Sequence, residues 1–176
     1  MGIKQTTSNE TLRKKIEEAA DRLRLVYIRR LEYIGEMCVN KARNLPTPPQ
    51  SVYWDSEAGE AYREIPRHTP HYIDWTANLR SSIGYVVTMD GHIVSSSNFA
   101  QVKGKEGDGK QGSDKGKDYA KQLARKMPQG IALIVVAGMK YAVYVQRRGY
   151  DVTASAELLA EQLLRQLKIN AKLMHL

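Results

Sequence analysis

His68-Thr69-Pro70-His71 is the one close pair of histidines in the chain, and two imidazoles three residues apart are how many zinc sites begin. The pair stops short of a site. Zinc needs three or four convergent ligands, Pro70 disfavours a helix through the pair, no cysteine is near, and the nearest acid is Asp74. An exposed loop pair is therefore expected, with no metal. Ser95-Ser96-Ser97 offers hydroxyls, but it falls in a predicted strand without the Gly-x-Ser-x-Gly elbow that sharpens a nucleophile. Alternating serines on the wet face of a hairpin account for it. The glycine-lysine stretch 103–117 holds neither a phosphate-binding loop nor a dinucleotide fingerprint, because Gly107-Asp108-Gly109 has no third glycine at the right spacing and no strand before it. Asp55, Glu57, Glu60 and Glu64 cluster in sequence without a partner that would set one carboxyl apart as acid or base. Cys38 falls on the apolar side of a predicted helix and reads as a small buried residue, not a nucleophile. No catalytic residue, cofactor or metal ligand is nominated, and the chain reads as a non-enzyme.

The elements that would position these residues follow from periodicity and punctuation. Thr7 and Glu10 have capping-box spacing, with Asn9 as an alternative cap. Leu12, Ile16, Ala19, Leu23, Val26, Tyr27, Leu31, Ile34, Met37, Cys38 and Ala42 then recur in steps of three and four, which predicts a helix over 9–44 about 50 Å long. Two placements are open for it: lying over its own sheet, or projecting in part to pack on another subunit. Residues 45–72 carry Pro46, Pro48, Pro49, Pro66 and Pro70 together with Tyr53, Trp54, Tyr62 and Tyr72, which predicts an extended loop wrapping this domain or a neighbour. A helical turn near Asp74–Ile83 leads into a hairpin, Gly84–Met89 and His92–Phe99, joined by Asp90-Gly91. The stretch 103–117 has no apolar side chain and is expected to be a flexible insertion. A helix over 118–127, a strand at Ile131–Ala137 buried on both faces, a short helix at 140–148 ending at Gly149, and a last helix capped by Thr153 or Ser155 complete the order. The layout is α+β: one domain over 1–176, its core at 74–167, with a small, mainly antiparallel sheet covered by helices and a weakly patterned tail at 168–176.

At 176 residues and 42% hydrophobic, the chain suits one modest core. No stretch reaches the ~20 apolar residues that span a bilayer, and MGIKQTTSNE has no apolar signal segment. Its Met-Gly start with Thr6 is a weak myristoylation match. A single cysteine excludes an intrachain disulfide and fits a reducing compartment. The net charge of +8 permits contact with nucleic acid, an anionic surface or an acidic protein. Lys103, Lys105, Lys110, Lys115 and Lys117 are the candidates for DNA or partner contact. They alternate with Glu106, Asp108 and Asp114, and only Tyr119 is near for base stacking.

Two segments carry a resemblance. Thr76-Ala77-Asn78-Leu79-Arg80-Ser81-Ser82-Ile83 is similar to a "T-G-x-L-R-x-S-I" signal that opens a strand, with Ala77 where glycine is usual. Tyr141-Ala142-Val143-Tyr144-Val145-Gln146-Arg147-Arg148-Gly149 is similar to "Y-A-x-Y-V-E-x-G", with Gln146 in place of glutamate. Together they resemble the tail-completion, or head–tail joining, proteins of the neck of long-tailed bacteriophages and prophages. The resemblance implies a structural virion protein made in the bacterial host cytoplasm. It implies a homo-oligomeric ring between the portal side and the tail tube, lining the DNA channel, with no membrane partner. It makes Leu79, Arg80, Ile83, Tyr141, Tyr144 and Gly149 the assembly or core motif. Leu79 and Ile83 would plug the sheet against helices, and Arg80 would hold a carboxylate or backbone carbonyls. Tyr141 and Tyr144, three apart, would share a helix face. The alternative is a basic nucleic-acid-binding module; a small hydrolase resting on His68, His71 and nearby acids comes third.

Overall fold

The structure, a computed structural model, describes residues 8–44, 51–55, 60–64, 72 and 74–173. Helix α1 runs Asn9–Arg43 without a break. Its cap is Ser8, not Thr7 or Asn9: the Ser8 backbone is extended and its Oγ accepts from the Glu10 N–H at 3.2 Å. Gly35 lies inside the unbroken helix, and the Tyr85 ring stands where its Cβ would be, at 2.6 Å. Glycine here trades helix propensity for close packing on an aromatic ring.

The loop expected over 45–72 contains a hairpin, β1 (Ser51–Asp55) against β2 (Glu60–Glu64), antiparallel with Tyr53 opposite Tyr62. The rest of that segment, apart from Tyr72, lies outside the described residues, as do His68, His71 and the tail beyond 173.

The core is a three-stranded antiparallel sheet in the order β4-β3-β5, with β3 at Ile83–Met89, β4 at His92–Ser96 and β5 at Ile131–Ala137. The Asp90-Gly91 turn has both residues at positive φ, 52° and 79°, as a two-residue hairpin demands. The Asp90 carboxylate also accepts from the Gly130 N–H at 2.7 Å, tying the turn to the start of β5. The apolar run 131–137 packs on both sheet faces, Ile131, Leu133, Val135 and Ala137 on one and Ile134 and Val136 on the other, but β3 is the more deeply buried strand. β5 is covered above and below yet sits at the sheet edge, so it stays half-exposed. An apolar run reports what covers a strand's faces and says nothing about its neighbours. The serines are not uniformly wet either. Ser97 is buried, its Oγ accepting from the Tyr85 N–H at 3.0 Å.

Helices fill both sheet faces. Ile83, Tyr85 and Val87 point to one side and pack on Ile34, Cys38, Val39 and Ala42 of α1 and on Ala156 of α5 (Ala154–Leu173). Val86, Ile134 and Val136 point to the other, against Phe99 and against Ala120 and Ala124 of α3 (Lys110–Ala124). A third cluster joins Leu79 of α2 (Asn78–Ser81) to Ala142 of α4 (Ala142–Arg147), with Tyr72 and Val152. Cys38 is fully buried, its Sγ 3.4 Å from the Ala156 carbonyl, and burial pushes its thiol pKa up. Thr153 holds the N-cap position of α5, its carbonyl accepting from the Glu157 N–H at 2.9 Å, but its hydroxyl bonds the Gln146 side chain, and the Asp151 carboxylate accepts from the Ser155 N–H at 3.2 Å instead.

The glycine-lysine stretch 103–117 is the main correction. Its second half is the first two turns of α3, which begins at Lys110 and not near 118. Its glycines pack instead of flexing. A Cβ on Gly112 would meet the Asn78 carbonyl oxygen at 1.9 Å, and one on Gly116 would meet the Ser82 carbonyl at 2.5 Å. Gly112, Gly116, Ala120 and Ala124 recur every four residues, so one bare face of α3 lies directly on the backbone of the turn 78–82 and on the Phe99 ring. Hydrogen bonds fix the contact: the Gly112 N–H donates to Asn78 Oδ1 at 3.0 Å, and Ser113 Oγ donates to the Phe99 carbonyl at 2.6 Å. The first half is tied down as well, with the Glu106 N–H on the Trp75 carbonyl at 3.0 Å and the Val102 N–H on Ser81 Oγ at 2.9 Å. Backbone packing and hydrogen bonds supply what the missing apolar side chains do not.

Candidate functional site

The two segments that carry the resemblance meet in space. Leu79 is buried against Ala142 and Val152, and the Gly138 N–H donates to the Ser82 carbonyl at 3.1 Å. Asp74 organises the junction. Its Oδ2 accepts from the Arg80 N–H at 2.7 Å, serving the N-terminus of α2, which has no capping side chain of its own. Burial raises the Asp74 carboxyl pKa, against the opposing pull of the Arg80 N–H, the Arg80 charge and the N–H groups of Leu79 and Ala77. The Arg80 guanidinium stands 5.8 Å from the Tyr72 ring centroid. Tyr141 is pushed up to about 12, by burial first and by the Asp74 carboxylate second. Ala77, where the resemblance has glycine, holds a left-handed backbone at φ 56°.

The motif residues therefore divide. Leu79 and Ile83 are interior, each at most 1% exposed, and belong to the monomer core. Gly149 has φ +88° and its N–H reaches the Gln146 carbonyl, closing α4 as a C′ glycine does. Tyr144 and Val143 face outward, Tyr144 being 67% exposed, whereas Tyr141 is half-exposed and borders the Asp74 junction. Val143 and Tyr144 form a small apolar surface at α4, bordered by Arg147 and Arg148.

The five lysines are all exposed, but they do not gather in one patch. The helical period places Lys110 and Lys117 on one stripe of α3 with Asp114 between them, and Lys115 on the opposite edge. Lys103 and Lys105 lie on the preceding loop, with the Lys105 ammonium 5.6 Å from the Trp75 ring centroid. Among the described residues no three His, Cys, Asp or Glu side chains stand close enough to hold a metal ion. No helix among them is long and apolar enough to cross a membrane.

Sequence patterning singled out the apolar series of α1, but not its change of face nor the groove beside β5. Helix α1 is about 50 Å long, and its buried positions are confined to Ile34–Ala42. Leu12, Ile16, Leu23, Leu25, Val26 and Tyr27 are exposed on the part that projects beyond the sheet. Among these, Leu12, Ile16, Leu23 and Val26 form one seam with Ala19. At ~100° per residue that seam is turned by roughly a third of a turn from the stripe Leu31, Gly35, Cys38 and Ala42 that meets the core. The projecting half of α1 thus presents an apolar face that its own sheet does not use. A second surface is a groove of about 460 Å³ where α5 diverges from the open edge of β5, walled by Leu31, Ile131, Leu133, Val135, Ala160 and Leu164. The signal for it was present in the run 131–137, once that run is read as an edge.

Comparison with protein-family models, with curated proteins and with solved structures finds no match.

Proposed function

We propose that this chain is a structural subunit of a bacteriophage neck, assembling with copies of itself into a ring that joins the head connector to the tail and encloses the DNA channel. The observation that carries the assembly half is the seam on the projecting half of α1. A monomer rarely leaves such a face on a rigid helix uncovered, because contiguous exposed apolar surface favours association. The location rests on the resemblance at 76–83 and 141–149, whose two segments pack together at Asp74 and Leu79. Rings require heterologous contacts between two different surfaces, and this chain offers two, the seam and the groove. The proposal is tested by the native mass of the purified protein and by its presence in purified particles; a strict monomer absent from particles contradicts it.

The second reading, a basic nucleic-acid-binding module, is favoured by the exposure of Lys103, Lys105, Lys110, Lys115 and Lys117. It requires DNA affinity that falls steeply with salt and that is lost when these five are replaced by alanine.

A further inference from the structure

The seam and the groove fit one another. The seam, Leu12 to Val26, rises about 21 Å along the helix, and the seven-residue edge strand β5 runs about 23 Å. The seam would bring large apolar side chains onto a groove whose walls are themselves apolar. Charge agrees as well. Lys15, Arg22 and Arg29 follow one edge of the seam at seven-residue steps, with Glu18 between the first two, while Glu157 lines the groove; Glu161, one turn further along α5, is paired with Arg165 at 3.6 Å. The two surfaces cannot meet within one chain. Leu31 lines the groove, and α1 continues from there without a kink, so the seam is carried away from its own groove. Pairing of two seams is the poorer solution. Five apolar positions make only about two heptads, below the three or four a coiled coil needs, and the next seam position is Arg30.

We infer that the projecting half of α1 from one copy docks its Leu12–Val26 seam into the β5–α5 groove of the next copy, head to tail. This rests on the assembly reading above and specifies its contact. Each copy gives one arm and receives one, so the contact propagates around a ring.

Complementation tests it. Ile16→Glu places a carboxylate in the seam, and Leu164→Glu places one in the groove. Both positions are exposed, 67% and 37%, so the fold should be kept, which circular dichroism and thermal unfolding of each variant establish. The expected result is that wild-type protein multimerises, each variant alone is a monomer, and an equimolar mixture forms a heterodimer that grows no further. The mixture holds one intact arm and one intact groove per pair. If both variants multimerise as wild type does, assembly stands and this contact is wrong. If the mixture stays monomeric while wild type assembles, or if Ile16→Glu alone disrupts a two-copy particle that Leu164→Glu leaves intact, the head-to-tail contact is likewise overturned. A wild-type protein that is monomeric at every concentration removes both the contact and the assembly reading. Should either variant unfold, Ile16→Ser and Leu164→Ser are read in the same mixing experiment, with the same outcomes.

Discussion

At the residue scale, the small side chains decide more than the charged ones. Gly112 sits inside a helix, where alanine ordinarily gains about 1 kcal/mol. Here the added Cβ would collide with the Asn78 carbonyl oxygen at 1.9 Å, in a contact of backbone on backbone that has no flexible side chain to yield. Gly112→Ala is expected to reverse the usual sign and cost ~2–3 kcal/mol, read by urea unfolding. A stability gain would show that α3 is not seated on the 78–82 turn. Tyr85 gives a second residue-scale prediction. Burial, with the Glu36 and Glu32 carboxylates, pushes its phenol from 10.0 up to about 12. The folded state therefore holds the proton more tightly than the unfolded chain. The stability this contributes is complete below pH 10 and is lost as pH rises toward 12. Urea midpoints should fall across that window, and Tyr85→Phe should fall less; parallel curves would contradict the assignment. These features were partly legible. The left-handed Asp90-Gly91 turn is written in its residue types. The packing role of Gly112 and Gly116 is not, because the same glycines that permit a close approach also describe a flexible loop, and only the four-residue spacing with Ala120 and Ala124 separates the two.

At the element scale, α1 serves two purposes along its length. Its C-terminal part is core: Ile34 is 2% exposed and packs on β3 and α5. Ile34→Ala should cost ~2–5 kcal/mol. Leu23, on the projecting half and 61% exposed, touches no core cluster, so Leu23→Ser should leave monomer stability within ~0.5 kcal/mol. Thermal unfolding of both variants at low protein concentration checks this. A comparable loss at Leu23 would mean that the seam is covered by the same chain. The length of α1 was readable from its three- and four-residue steps. Its change of face was not, because Leu12–Val26 and Leu31–Ala42 obey one period and differ only in phase. The order of strands was hidden for a related reason: alternation and apolar runs report a strand's faces, while edge or centre is set by pairing between distant segments such as Met89 and Ile131.

At the scale of the whole molecule, the parts that make the monomer and those proposed to make the assembly meet only at the groove. Three clusters at the sheet faces and around α2 and α4 hold the domain together. The seam and Tyr144 lie outside them, while the walls of the β5–α5 groove, Leu31, Ile131, Leu133, Val135 and Ala160, also pack on the first cluster. The two motif segments contribute mainly to the monomer core. Leu79 and Ile83 are buried within one copy, whereas the surfaces with unspent apolar area lie on elements the motifs do not include. The charge belongs to this scale too. Spread over the chain, +8 permits contact with nucleic acid, an anionic surface or an acidic protein, without one lysine patch choosing among them. The most direct test is the mass of the native protein, measured by native mass spectrometry across a hundredfold range of concentration. The account predicts one closed multimer of fixed copy number that dissociates on dilution directly toward monomer. A single-chain mass throughout that range would contradict it.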